Sequence, residues 1–363
     1  MTKREEEILG IIKKNPMASQ REIADKLNIT RSSVGVHITN LMKKGYIVGK
    51  GYIVKEEPYI TIIGGANVDI VGFPYENLKM KDSNPGKTNI SLGGVSRNIG
   101  ENLARLGIDT KLITTIGNDN YGRLIIDEGM KVGLNMSDSL ILQDYSTSTY
   151  LSILDENGDM EVALSSMDIL EKISISFIEE KKDIIENSRL CVVDTNLPGK
   201  TLEHMVTNFK SNYFLDTVST TKAEKVKDFI GYFHTITPNK IEAEILSGIK
   251  INKEDDLKLV AKHFIEKGVK RVIISLGEKG IFYFDGDTEV RMISPKANVV
   301  NTTGAGDAFM AGLAYSYFND FDIKETLKFG IAMSIMTLED SRTINPNISV
   351  EKINKKIKEI EIC

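Results

Sequence analysis

An α/β fold in two parts is predicted: a mostly parallel sheet sandwiched between helices and carrying a small β lid, preceded by a small helical module. Three observations predict it. From residue 59 onward, short apolar strand-like runs alternate with helix-like stretches, as they do where crossover helices join parallel strands. Residues 1–57 hold three short amphipathic segments followed by two β-rich pieces. The chain is 363 residues long, more than one ordinary compact domain needs and enough for a large body plus a module.

In the module, Ile8, Leu9, Ile11 and Ile12 recur at helical spacing, and Asn15-Pro16 closes that helix. Ser19 followed by Glu22 forms a capping box, opening a second helix with Ile23, Ala24 and Leu27 on its apolar face and an end near Asn28. Thr30 or Ser32 caps a third helix whose buried stripe is Val34, Ile38, Leu41 and Met42. Tyr46–Val48 and Tyr52–Val54, joined by Gly49-Lys50-Gly51, read as a hairpin. Arg31, Ser32, Ser33, His37 and Asn40 lie off the apolar stripe, with Lys43, Lys44 and Lys50 beyond them. Short polar donors at a helix start with cations nearby suit a duplex, although a solvated face has the same composition. Residues 1–57 hold eleven Lys/Arg against seven Asp/Glu, while the rest of the chain is acidic, with 35 against 44. A basic module on an acidic body points the module at a polyanion. The boundary is expected at Lys55-Glu56-Glu57-Pro58, giving domains of 1–57 and 58–363.

In the body, Tyr59–Ile63, Thr110–Ile116, Leu190–Asp194, Tyr213–Asp216 and Lys270–Ser275 read as core strands. Residues 95–106, 121–132, 239–247, 253–267 and 305–319 read as helices. Asp69–Phe73, Thr88–Leu92, Ser139–Leu142 and Ser148–Leu154 are β-rich without intervening helices, and they are expected to form the lid. In open sheets of this kind ligands sit beyond the carboxyl ends of the strands.

The sharpest motif is Asn301-Thr302-Thr303-Gly304-Ala305-Gly306-Asp307-Ala308. Small residues at Gly304, Ala305 and Gly306 let backbone amides approach an anion at a helix start, and Asp307 just inside that helix can accept a proton from an attacking hydroxyl. Gly93-Gly94-Val95-Ser96-Arg97-Asn98 offers a second small-residue turn. Asn67, Asp69 and Asn98 beside it supply amides and a carboxylate for vicinal hydroxyls. Asn239-x-x-Glu242 at a helix start supplies a neutral oxygen and a carboxylate, either for a hydrated Mg²⁺ or simply as a cap. Ser275-Leu276-Gly277-Glu278-Lys279-Gly280 follows a buried strand as a tight turn. No G-x-x-x-x-G-K-[ST] is present, which disfavours a P-loop kinase.

Taken together, these motifs resemble the signatures of the ribokinase-like (PfkB) kinases over essentially all of 58–363, and residues 1–57 resemble winged helix-turn-helix domains. The resemblance implies a three-layer α/β/α core. It also implies ATP and Mg²⁺ as cofactors, with Asp307 as base and 304–306 as anion hole. Substrate contacts implied are Asn67, Asp69, Gly93, Gly94, Asn98 and Asn196; nucleotide contacts are Asn239, Glu242, Ser275, Gly277 and Gly280, with Asn239 and Glu242 toward the metal. Some members also use K⁺, but Asn301 stands where many have Asp, which weakens a K⁺ site through 301 and Thr303. Asp82-Ser83-Asn84-Pro85-Gly86 and the strand bearing Thr149 look like those of pseudouridine kinases. That likeness implies phosphorylation of pseudouridine at its 5'-hydroxyl, with ribose or an inosine-like nucleoside as the alternative acceptor. A regulator that uses the body only as a ligand sensor is the alternative from another class. For the module the resemblance implies double-stranded DNA through Arg31, Ser32, Ser33, His37, Lys43 and Lys50, and for the whole a homodimer.

Two further classes are disfavoured. Cys191 and Cys363 are too far apart to suggest a disulfide framework or a zinc site. No apolar run approaches the ~20 residues of a membrane-spanning helix, so a cytoplasmic protein is expected.

Overall fold

A computed structural model describes residues 1–49 and 57–360. The chain divides into two compact units, Met1–Pro58 and Tyr59–Cys363.

The first unit holds α1 (Lys3–Lys14), α2 (Gln20–Leu27) and α3 (Arg31–Lys43). Each start is explained by its cap. Thr2 and Ser19 form capping boxes with Glu5 and Glu22, and Asn28 ends α2 in the left-handed conformation. Thr30, and not Ser32, caps α3 by accepting from the Ser33 amide. Ile8, Ile12, Ile23, Val34, Ile38 and Leu41 form the core of this unit. Met42 was expected in that stripe but is exposed, because the buried side of α3 is already filled by Val34, Ile38 and Leu41. Ile47 is buried against this core; Lys50 and the expected second hairpin strand lie outside the described residues.

The second unit is built on a nine-stranded sheet. Its order is Glu289–Met292, Ile281–Phe284, Arg271–Ser275, Thr235–Ile236, Tyr213–Asp216, Leu190–Asp194, Ile60–Ile63, Thr110–Ile113, Leu134–Asn135. Pairing is parallel from Arg271–Ser275 to the Leu134–Asn135 edge and antiparallel for the two strands beyond Arg271–Ser275. The central strands are buried along their whole length because alternate residues feed two cores. Ile60, Ile62 and Val192 face the helices Val95–Arg105, Ala305–Phe318 and Ile323–Leu338, while Ile63, Cys191 and Val193 face Gly199–Asn208 and Glu254–Lys267.

The expected strand Thr110–Ile116 is broken at Thr114, whose carbonyl accepts from the Leu140 amide. Thr115–Gly117 then leaves the main sheet and pairs with Leu140–Leu142. Ser139–Leu142 is therefore not part of the lid. The lid is a four-stranded sheet in the order Gly86–Gly93, Asn67–Pro74, Thr149–Leu154, Met160–Ser166. Its two faces differ. Asp69 and Tyr150, side by side in register, line a cleft, while Ile90, Ile70, Leu151 and Leu164 align across the opposite face.

Candidate functional site

The cleft lies beyond the carboxyl ends of Ile60–Ile63, Leu190–Asp194 and Tyr213–Asp216, under the lid. Gly65, Asn67, Asp69, Gly94, Asn98, Tyr150, Asn196, Lys222, Thr303 and Asp307 line it. Six of the residues predicted to contact substrate or catalyse thus share one wall: Asn67, Asp69, Gly94, Asn98, Asn196 and Asp307.

Asp307 lies in the first turn of the Ala305–Phe318 helix, which Gly304 caps with a φ of 85°. A Cβ on Gly304 would lie 2.1 Å from the Thr343 carbonyl oxygen, so only glycine fits this turn. The amides of Gly304, Ala305 and Gly306 have no acceptor among the described residues; the first helical hydrogen bond is Ala308 N–H to Gly304 C=O, 2.9 Å. Three donors thus remain at the positive end of a helix, next to a carboxylate. Asn98 Nδ2 donates to Asp307 Oδ2 at 2.7 Å. Burial pushes the Asp307 carboxyl up to about 7; the Asn98 bond opposes this, and the charges of Asp194 and Asp69 reinforce it.

The Asn98 amide is itself held. Arg97, buried and ion-paired to Glu101, donates from Nη1 to Asn98 Oδ1 at 3.2 Å and to the Leu92 carbonyl at 3.3 Å. Asn67 Nδ2 donates to Asp69 Oδ1 at 2.6 Å, and Gly93 packs against the other Asp69 oxygen. Burial raises the Asp69 carboxyl, and Asn67 and Arg97 draw it back. Gly94, with φ of 99°, passes so close to Gly65 and Ala66 that a Cβ would lie 2.5 Å from their backbone.

Three residues the sequence reading did not single out stand in or behind the wall. Asp194, fully buried, accepts from Gly65 N–H at 2.8 Å, Ser96 N–H at 3.2 Å, Ser96 Oγ–H at 2.6 Å and Asn196 N–H at 2.8 Å. It thereby fastens two turns and a helix start to one point. Lys222 is the one cation lining the cleft among the described residues and donates to Asn196 Oδ1. Desolvation lowers its pKa and Asp194 pulls it up. Asp216 ends its strand facing this region; burial, and then the charge of Asp307, push it up to about 8. Asp194 and Asp216 were visible only as strand ends, and Lys222 sits in a four-residue helix without a motif; only the fold brings them here.

Other predicted residues fall elsewhere. Asp82 and Ser83 are exposed in a loop closed on itself by Asn84, and neither lines the cleft. Thr149 pairs with Val68 and Ser166 within the lid but does not line the cleft. Asn239 and Glu242 do form a reciprocal capping box. Glu242 Oε2 accepts from Asn239 N–H at 2.9 Å and Thr217 Oγ1–H at 2.7 Å. Its Oε1 has no partner among the described residues. A β-bridge joins Asn239 to Ser275, and both, with Gly277, line a separate hollow of about 590 Å³ to which Lys240, Lys253, Lys279 and Arg291 bring positive charge. Gly280, with φ of 83°, closes the 276–280 turn by accepting from the Leu276 amide at 2.8 Å. Asn301 Oδ1 is taken by the Thr303 amide at 3.0 Å, and its Nδ2 donates to the Ser341 carbonyl. This leaves it poorly disposed as a cation ligand.

On α3, Arg31, Ser32, Ser33 and Lys43 are exposed. His37, expected on the open face, is half-buried, and its Nδ1 has no partner among the described residues. No helix among the described residues is long and apolar enough to cross a membrane.

Comparison with known proteins fits this geometry. Residues 57–349 match the pfkB family of carbohydrate kinases, and residues 1–48 match a winged helix-turn-helix DNA-binding family. The chain is 37% identical over 309 residues to the pseudouridine kinase of Escherichia coli K12, covering 85% of this chain and 99% of that one. It is 35% identical over 353 residues to the uncharacterized sugar kinase YeiI of the same organism, covering 97% and 98%. The structure of Arabidopsis thaliana ribokinase complexed with ribose and ATP superposes with a TM-score of 0.76 over 84% of this chain and 99% of that one, at 21% identity, which shows the ribokinase-like fold. The chain is a member of the pfkB carbohydrate kinase family with an N-terminal winged helix-turn-helix domain.

Proposed function

We propose that the second unit transfers the γ-phosphoryl group of ATP to the 5'-hydroxyl of pseudouridine, with Asp307 as the base. One observation carries the reading: a carboxylate with a raised pKa stands beside three unpaired amides at a helix start. Asn67, Asp69, Gly94 and Asn98 hold the ribose hydroxyls, and Lys222 steadies Asn196. Asp307 takes the hydroxyl proton as the oxygen attacks phosphorus. The amides of Gly304, Ala305 and Gly306 receive the charge on the transferring group. Asn239, Ser275, Gly277 and Gly280 guide the nucleotide. Glu242 through its free oxygen, and Asp216, whose carboxyl is pushed up to about 8 by burial and then by the charge of Asp307 and would ionise beside a cation, would hold a hydrated Mg²⁺, which would supply charge neutralisation for the phosphates.

Likeness to the pseudouridine kinase supports the choice of acceptor. A second reading, another nucleoside or sugar, is favoured by the relative that spans nearly the whole chain, module included, and is described only as a sugar kinase. ATP consumption with pseudouridine, uridine, inosine and ribose separates the two. Pseudouridine is expected to give the highest kcat/KM, and a higher value for any other acceptor would overturn the assignment. A body serving only as a ligand sensor would have no need of Asp307 beside open amides.

The first unit is read as a DNA-binding module, with Arg31, Ser32, Ser33 and Lys43 facing the duplex and with Lys50 and His37 contributing. Its affinity for duplex DNA is expected to fall with salt, and Arg31→Ala and Lys43→Ala should each lower the log–log salt slope by about 0.9. A slope unchanged in both variants would remove these residues from the interface. The whole is read as a homodimer, since the outer lid face leaves Ile90, Val162 and Leu164 more than half exposed. A single-chain mass in light scattering would rule this out.

A further inference from the structure

We propose that α3 reads duplex DNA by apolar contact with the 5-methyl groups of thymine in the major groove, through Val36 and the methyl of Thr39. The inference rests on the DNA-binding reading and deepens it.

Val34, Ile38 and Leu41 turn into the core of the first unit, so helical spacing puts Ser32, Val36, Thr39 and Lys43 on the opposite face. Val36, at the middle of that face, is 60% exposed. The hydroxyls around it are already engaged. Those of Ser32 and Ser33 share hydrogen bonds of 3.0 and 2.8 Å with Thr30, the cap of α3. Thr39 Oγ1 donates to the Gly35 carbonyl at 2.9 Å, which leaves its methyl as the group on offer. The centre of the face is therefore hydrocarbon at the place where an amide or guanidinium would make paired bonds to a purine edge. Thymine is the base that presents an apolar group in the major groove.

Charge argues for DNA as the occupant. Exposed Lys43 stands at the C-terminal end of this face and exposed Arg31 at the start of α3, in a segment with eleven cations against seven anions. Two copies of this face packed together would oppose like charges, whereas a duplex supplies phosphates on both sides of its groove. Among the described residues Val36 is not part of the core of the unit, so shortening it leaves that core intact.

The test uses the full chain. Random-sequence duplexes are selected for binding, and dissociation constants are measured on the enriched duplex with each thymine in turn replaced by uracil. At one or more positions, loss of the methyl is expected to weaken binding about fourfold, the equivalent of one buried methyl group. Val36→Ala should still bind, with the thymine-to-uracil ratio at one such position reduced to near unity. Equal affinity for the thymine and uracil duplexes, or a ratio that Val36→Ala leaves unchanged at every position, overturns the inference while the DNA reading stands. If no duplex is enriched and no salt-dependent binding is seen, the DNA reading itself falls.

Discussion

Replacing Asp307 with asparagine is expected to lower turnover by about 10²–10⁴-fold while leaving nucleotide binding in place. The amide is nearly isosteric and sits in the same first helical turn, so Gly304, Ala305 and Gly306 keep their unpaired amides at the helix start. What disappears is the proton acceptor. Asp307 is pushed up to about 7, so in the wild type the active, charged form is depleted as pH falls through that value. The acid limb of the rate profile should lie there, and the asparagine variant should lack it. Steady-state rates from about pH 5.5 to 8.5, with nucleotide affinity measured in parallel, check both points. A variant with near wild-type turnover would remove the base assignment.

Replacing Asp194 with alanine is expected to destabilise the second unit by about 3–5 kcal/mol, since three backbone amides, two of them buried and one partly so, lose their acceptor together and each orphaned group costs ~1–3 kcal/mol. The Ser96 hydroxyl can turn to another partner; the amides of Gly65, Ser96 and Asn196 cannot. Activity should fall further than stability alone would cause, because these amides belong to the turns that carry Asn67, Asn98 and Asn196. Urea unfolding followed by circular dichroism measures the first effect, and turnover well below the unfolding midpoint measures the second. A midpoint equal to that of the wild type would show that the carboxylate is not the anchor described.

How far the sequence was legible depended on whether a signal was local. Capping boxes are local: Ser19 with Glu22 and Asn239 with Glu242 mark helix starts that the structure reproduces. The turn at 304–307 is local too, since its glycines and its aspartate are neighbours in the chain. The helix Ile323–Leu338 left no amphipathic pattern because most of its length is buried on several sides, so the periodicity that reveals a surface helix is missing. The strand Met160–Ser166 was legible, since Asn157-Gly158 before it is a hairpin turn and Met160, Val162 and Leu164 alternate at strand period, although they face outward and not into a core. Ser139–Leu142 was legible as a strand, yet its partner is Thr115–Gly117, and pairing is a property of the fold rather than of the segment. Asp194, Asp216 and Lys222 come from three separate segments and acquire meaning only when those segments meet.

Arg97 carries one more consequence. A guanidinium has hydrogens to give and no lone pair to offer, so the amide of Asn98 cannot turn round without setting its NH₂ against another donor. Its oxygen must look back toward Arg97 and its nitrogen forward toward Asp307. The polarity met by an incoming alcohol is thus decided behind the wall, by a residue that never meets the alcohol, and it is wired in before any ligand arrives.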